Sequence, residues 1–135
     1  MNAHHIVRIG NNVYCGGGFT GKVTTDRLVF KYDCEEDKWS QLPHCPSLQF
    51  GLTQLDEKLV TVGGRDIDVL TPIKDVYVFE EDSQEWNNLP SLSEARCSPC
   101  AFAYKSKSVL VAARGINRWK IDYEHPVRTN SVEVF

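Results

Sequence analysis

Cys97-Ser98-Pro99-Cys100 is the spacing in this 135-residue chain that comes nearest to a metal or redox motif. A tetrahedral zinc site needs two further ligands at suitable spacing, and Cys34, Cys45, His44 and His125 form no second pair. A redox Cys-x-x-Cys pair is expected at a helix N-terminus, whereas this one begins a strand-like run, which makes it a pair of small structural residues. Gly16-Gly17-Gly18 would cradle a phosphate only if a helix with Lys-Ser/Thr followed, and it ends an apolar run instead. His4 and His5 are terminal, His44 and His125 lie in turns, and nothing aligns a nucleophile with a base and an orienting group. The expectation is a chain with no catalytic residue, no metal and no cofactor.

Composition narrows the partners. Hydrophobic residues make up 41% and charged residues 24%, the balance of a soluble globular protein. The formal net charge is −3 and there is no Lys/Arg run, so nucleic acid is not an expected partner. No apolar stretch reaches the length of about 18 residues that a membrane span requires, and Met1 to Ile6 lack the regions of a signal peptide. Five cysteines, an odd number set inside apolar runs, suit a reducing compartment, and a cytoplasmic location is expected.

The elements that would position any site are set by an internal repeat. Gly16-Gly17 recurs as Gly63-Gly64, Trp39 as Trp86 and Leu42-Pro43 as Leu89-Pro90, each 47 positions on. Phe30 to Tyr77 and Tyr32 to Phe79 keep the same step. Self-similarity at this period marks a repeated supersecondary unit. The first unit reads as four strands, His4 to Arg8, Val13 to Cys15, Leu28 to Tyr32 and Lys38 to Leu42, with an acidic turn from Asp33 to Asp37. The second reads the same way over Gln49 to Leu55, Leu59 to Val62, Asp75 to Glu80 and Glu85 to Leu89. A third unit is incomplete: Ser98 to Lys105, Val109 to Ala113 and Val132 to Phe135 supply three strands, with a long loop from Gly115 to Ser131 between the last two.

The glycine pair, the Tyr32-Asp33 strand end, Trp39 six residues later and Leu42-Pro43 resemble the kelch repeat, as do Gly63, Gly64, Phe79, Glu80, Trp86, Leu89 and Pro90. The resemblance implies an all-β fold of four-stranded antiparallel blades, a partial β-propeller of about three blades: blade 1 at about 1–43, blade 2 at about 49–90 and an incomplete blade 3 at about 98–135. Gly16, Gly17, Tyr32, Trp39, Gly63, Gly64, Phe79 and Trp86 are then structural landmarks, with both tryptophans filling the space between blades. A closed ring needs more blades than this chain codes, and an unpaired end exposes apolar surface. A homo-oligomer, a dimer completing a ring, is one remedy; membership of a longer chain is the other.

The resemblance also implies a protein-interaction module without chemistry, with partners on the loops between second and third strands and between blades. Its relatives include substrate-recognition parts of cullin-type ubiquitin ligases and cytoskeletal binders. On that face lie Arg27, Arg65, Asp66, Arg96, Arg114, Arg118 and Trp119. Guanidinium groups there suit an acidic peptide, or they are simply paired with Asp66, Asp68 and Asp75. Trp119 stands outside the repeat, as an interface anchor or packed on its own loop. A fragment of a copper oxidase-like propeller enzyme, and a self-assembling truncated product, are the alternative readings.

Overall fold

The computed structural model describes residues 4–105 and, beyond them, the strands within 108–134. The first sheet holds β1 (His5–Ile9), β2 (Asn12–Gly16), β3 (Val29–Asp33) and β4 (Lys38–Gln41) in that order, all antiparallel. The second repeats it with β5 (Gly51–Leu55), β6 (Lys58–Val62), β7 (Val76–Glu80) and β8 (Glu85–Leu89). The third unit gives β9 (Cys100–Lys105), β10 (Ser108–Ala112), β11 (Gly115–Arg118), β12 (Val127–Thr129) and β13 (Glu133–Val134). Strands β9, β10 and β13 form a three-stranded sheet in the order β13-β10-β9, while β11 and β12 pair as a separate ribbon.

The turns explain where strands stop. Gly10, and the pair Asp56 and Glu57, take positive φ at the two tight hairpins. In the acidic turn after β3, the Asp33 carboxylate accepts the backbone N–H groups of Glu35 and Glu36 at 2.9 and 3.0 Å, an Asx turn that reverses the chain into β4. In the matching turn before β8, Gln84 at φ 56 stands where Asp37 has φ 52, and its side-chain amide donates to the Glu81 carbonyl at 2.8 Å.

Strand pairing revises the glycine step. Gly16 sits between His5 and Val29 in the first sheet, and Val62 holds that place between Gly51 and Val76 in the second. Gly17 therefore corresponds to Gly63, one residue short of the step kept by the tryptophans, and the extra residue of the second unit lies between β6 and β7. A Cβ at Gly17 would stand 2.5 Å from the carbonyl oxygen of Phe50, and one at Gly63 2.6 Å from that of Arg96, so both glycines admit the backbone of the following inter-sheet segment.

Each complete sheet has a front and a back. On the front of the second sheet, Leu52, Phe79 and Trp86 pack with Tyr14, Val29, Leu42 and Cys45 of the first unit, with Phe50 enclosed in the seam. On its back, Val60, Val62, Val76 and Val78 form a second core with Leu92, and Ala101 of the third sheet lies against it. Polar contacts also cross the seam between the first two sheets. The Trp86 indole N–H donates to the Pro43 carbonyl at 2.9 Å, the Tyr14 hydroxyl donates to Glu81 Oε1 at 2.8 Å, and Lys31 Nζ pairs with the same carboxylate oxygen at 3.3 Å.

Several expectations are corrected. Trp39 does not fill a space between blades: it is 63% exposed, because no described element covers the front of the first sheet. The segment from Gly18 to Arg27 is not all loop, since Val23–Asp26 make one helical turn, and the 115–131 segment contains the β11–β12 ribbon. The first strands of the second and third units begin at Gly51 and Cys100 rather than Gln49 and Ser98, because Gln49 and Ser98 both take positive φ and break the extended run. Of 132–135, the described strand is Glu133–Val134.

The Tyr14 hydroxyl gives a modest test of the seam. Tyr14→Phe removes one hydrogen bond and leaves Glu81 able to meet water, so a loss of about 1 kcal/mol is expected. Thermal unfolding of the variant checks it, and an unchanged midpoint would remove that bond from the account of the seam.

Candidate partner-binding loop face

The glycine end of the sheets gathers the segments between β2 and β3, between β6 and β7, and the two inter-sheet connections. Backbone bonds weld them together. Leu48 and Arg65 exchange N–H to carbonyl bonds at 3.0 and 2.7 Å, Gly64 N–H donates to the Arg96 carbonyl at 2.7 Å, and Arg96 N–H donates to the Ile73 carbonyl at 3.0 Å. The face is therefore a fixed platform and not a set of independent loops.

The candidate arginines serve that weld. Arg27 Nε donates to the Cys45 carbonyl at 2.7 Å, tying the α1 segment to the connection that follows the first sheet. Arg65 Nε points at the Cys97 sulfur at 3.0 Å, and the Cys97 thiol donates to the Gln49 side-chain oxygen at 3.2 Å. Arg96 corrects the expectation of an outward guanidinium: it is 1% exposed and reaches Glu94 at 3.4 Å. The structure thus brings Arg65 and Arg96 to one junction and leaves Arg27 at another. Asp66 is spent on its own turn, accepting the N–H groups of Asp68 and Val69 at 2.8 and 3.0 Å; these bonds, Val69's first, hold its carboxyl below the usual range. Arg114 and Trp119 lie outside the described residues, and Arg118 is described only as backbone, in β11.

Beside exposed polar residues such as Lys22, Asp68 and Lys74, the platform displays apolar ones. Phe19 and Val23 on the first loop, and Val69 and Leu70 on the second, are exposed, Val69 at 68%. Leu70 is also held at φ 59, a conformation that γ-branched side chains seldom take. The sequence reading passed over these four residues. Their one mark in the sequence is that Val69-Leu70 is an apolar pair with no counterpart in the repeat.

The cysteines and histidines do not converge. Cys97 is buried while Cys100 is exposed at the start of β9, and all five cysteines are free thiols. Cys45 is enclosed between Ser47 and Thr61 hydroxyls, and burial pushes its thiol pKa up. Among the described residues no group of three or more His, Cys, Asp or Glu side chains is placed to hold a metal. At the opposite, turn end of the sheets, a cleft of about 200 Å³ separates the first two sheets, floored by Ile9, Tyr14, Leu59 and Phe79 and edged by Glu57 and Glu81. Burial, first, and then the Glu81 hydrogen bond raise the Tyr14 hydroxyl pKa well above its ordinary value, so it stays a donor. Among the described residues no helix is long and apolar enough to cross a membrane.

Comparison with known proteins agrees with this architecture. A family model described as the kelch motif matches residues 2–46 and 46–93. Kelch-like protein 41b of Danio rerio is 28% identical over 100 residues, covering 73% of this chain and 16% of that protein. Human Kelch-like protein 41 is 28% identical over 98 residues, covering 67% and 16%. An F-box/kelch-repeat protein of Arabidopsis thaliana is 24% identical over 105 residues, covering 75% and 28%. The chain thus spans less than a third of the length of each of these relatives. With the motif matched twice in succession, over the same residues that fold into two like four-stranded sheets, the chain belongs to the kelch-repeat family.

Proposed function

We propose that this chain is a non-catalytic protein-interaction module that binds a peptide on its glycine-end loop face through apolar anchor residues. The observation that carries the reading is the exposure of Phe19, Val23, Val69 and Leu70 on the two loops of a platform welded by backbone hydrogen bonds. Exposed apolar groups clustered on one face mark an interaction surface, and a fixed platform loses little entropy on binding. The arginines that would favour an acidic peptide are engaged instead: Arg27 and Arg65 with neighbouring segments, Arg96 by burial. A role as the recognition part of a ubiquitin ligase, or of a cytoskeletal scaffold, is the setting we assign to such a module. It draws on the relative whose name joins an F-box to kelch repeats, and the ligase-recruiting part would then lie on another domain.

Selection of displayed random peptides against the chain tests the chemistry. The expected result is a consensus with aromatic or aliphatic anchors. Binding should weaken at least about tenfold in a Phe19→Asp, Val69→Asp double variant, the loss of one well-buried anchor being worth more than about 1 kcal/mol. An acidic consensus lost in Arg65→Ala would overturn the apolar reading, and failure to enrich any sequence would count against the loop face.

A further inference from the structure

We infer that the cleft between the first two blades at the turn end is a second binding site, one that takes a single arginine side chain from a basic segment of a partner protein. Its walls belong to two complete blades, with Ile9 and Tyr14 from the first, Leu59 and Phe79 from the second, and Glu57 and Asp82 on the rim. The shape of the cleft therefore does not depend on any further blade. Its volume of about 200 Å³ is below the range of about 300–1,000 Å³ for drug-sized ligands, so it suits one long side chain and not a whole small molecule. The floor is apolar and the rim is acidic. A long basic side chain meets both, because its methylene stem lies along apolar surface while its charged head stays at the water-exposed edge.

Charge sets the sign of the occupant. Ten of the chain's 18 acidic residues stand in the three turns 33–37, 56–57 and 80–85 at this end, and no Lys or Arg stands among them. On the cleft itself two carboxylates are already matched. Lys58 Nζ pairs with Glu80 at 3.0 Å, and Glu81 takes Lys31 Nζ at 3.3 Å together with the Tyr14 hydroxyl at 2.8 Å. Those bonds hold the wall in place before anything binds, which lowers the cost of binding. Glu57 and Asp82 are exposed and make no ion pair among the described residues. They stand on two different turns, so a head group that serves both must offer several donors at spread positions. The planar guanidinium, with five N–H donors, does so, whereas an ammonium is a compact and strongly hydrated point charge. The site is independent of the proposed peptide face, which lies at the glycine end of the sheets.

The test is titration of the isotope-labelled full chain with the peptide acetyl-Ala-Arg-Ala-amide, followed by two-dimensional amide NMR. Saturable shifts are expected at the amides of Leu59, Phe79 and Asp82, and binding should weaken as salt rises, because rim charges are screened. Replacing the arginine by citrulline keeps the shape and removes the charge, and should weaken binding at least about fivefold, the worth of two exposed ion pairs. A Glu57→Gln, Asp82→Asn double variant should weaken it to the same degree, and the rest of its spectrum reports whether the fold is kept. Should that variant fail to fold, the citrulline and salt series on the unmodified chain carry the decision. No saturable shift at millimolar peptide overturns the inference. So does citrulline binding as tightly as arginine, binding that survives in the folded double variant, or a set of shifts confined to the glycine-end loops.

Discussion

Gly64→Ala is expected to abolish cooperative folding near physiological temperature. Two costs coincide at that position. Its φ of 110° lies in a region closed to side chains with a Cβ, which costs about 1–3 kcal/mol by itself. The added methyl would also be driven into the Leu48 carbonyl oxygen, with the Phe50 backbone N and Cα 3.2 Å away. None of these atoms is the far end of a flexible side chain. To make room, the segment carrying the Leu48–Arg65 backbone bonds must move, and that segment welds the first two sheets. Against a total stability of about 5–15 kcal/mol for a domain of this kind, strain and displacement together remove most of it. Gly21→Ala is the control. Gly21 has φ 81 but a Cβ there would meet nothing within 4 Å, so only the conformational cost of about 1–2 kcal/mol applies. Urea unfolding of both variants separates the two effects, and equal losses would show that the close approach at Gly64 is not what the glycine is there for.

Phe50→Ala should lose about 3–5 kcal/mol, the range for deleting a large aromatic side chain from a closed core. Phe50 is fully buried in the cluster that joins Tyr14, Val29, Leu42, Leu52 and Phe79, so it touches both complete blades at once. Its backbone is fixed by the neighbouring glycines, Gly17 on one side and Gly64 on the other, so the cavity cannot collapse by letting the chain slide inward. The loss should appear as a lower urea midpoint. Because the residue sits in the seam, a broadened transition, with the blades melting apart, is expected as well. Phe50→Leu fills part of the space and should fall between the two. A Phe50→Ala chain that unfolds within about 1 kcal/mol of the parent would mean that the seam is not held by this cluster.

Much of the fold was legible because period-2 strands and turn chemistry are local. Val13 to Cys15, Leu59 to Val62 and Glu85 to Leu89 are apolar or strand-forming runs set between turn residues, so eleven strands were placed to within two residues. The register of the glycines was not legible. Gly16-Gly17-Gly18 offers two alignments with Gly63-Gly64, and only pairing across β2 and β3 chooses between them. The β11–β12 ribbon was hidden for a related reason: its four- and three-residue strands are too short to show a period.

The candidate site divided along the same line. The sequence located the loop face, because the repeat puts the same loops at the same end of each blade. It could not say which side chains on that face turn outward, since Arg27 and Arg65 find partners in segments 18 and 32 positions away and Arg96 is buried by the fold. By itself, then, the sequence determined that the chain builds repeated antiparallel blades and where each strand turns, because those outcomes depend on neighbours along the chain. The tertiary structure decided that Trp86 is a seam residue and Trp39 an exposed one, and that the arginines pin the platform while Val69 and Leu70 face outward. Identical residue types at equivalent positions meet different neighbours, and exposure is a property of what lies against a face, which no local pattern encodes.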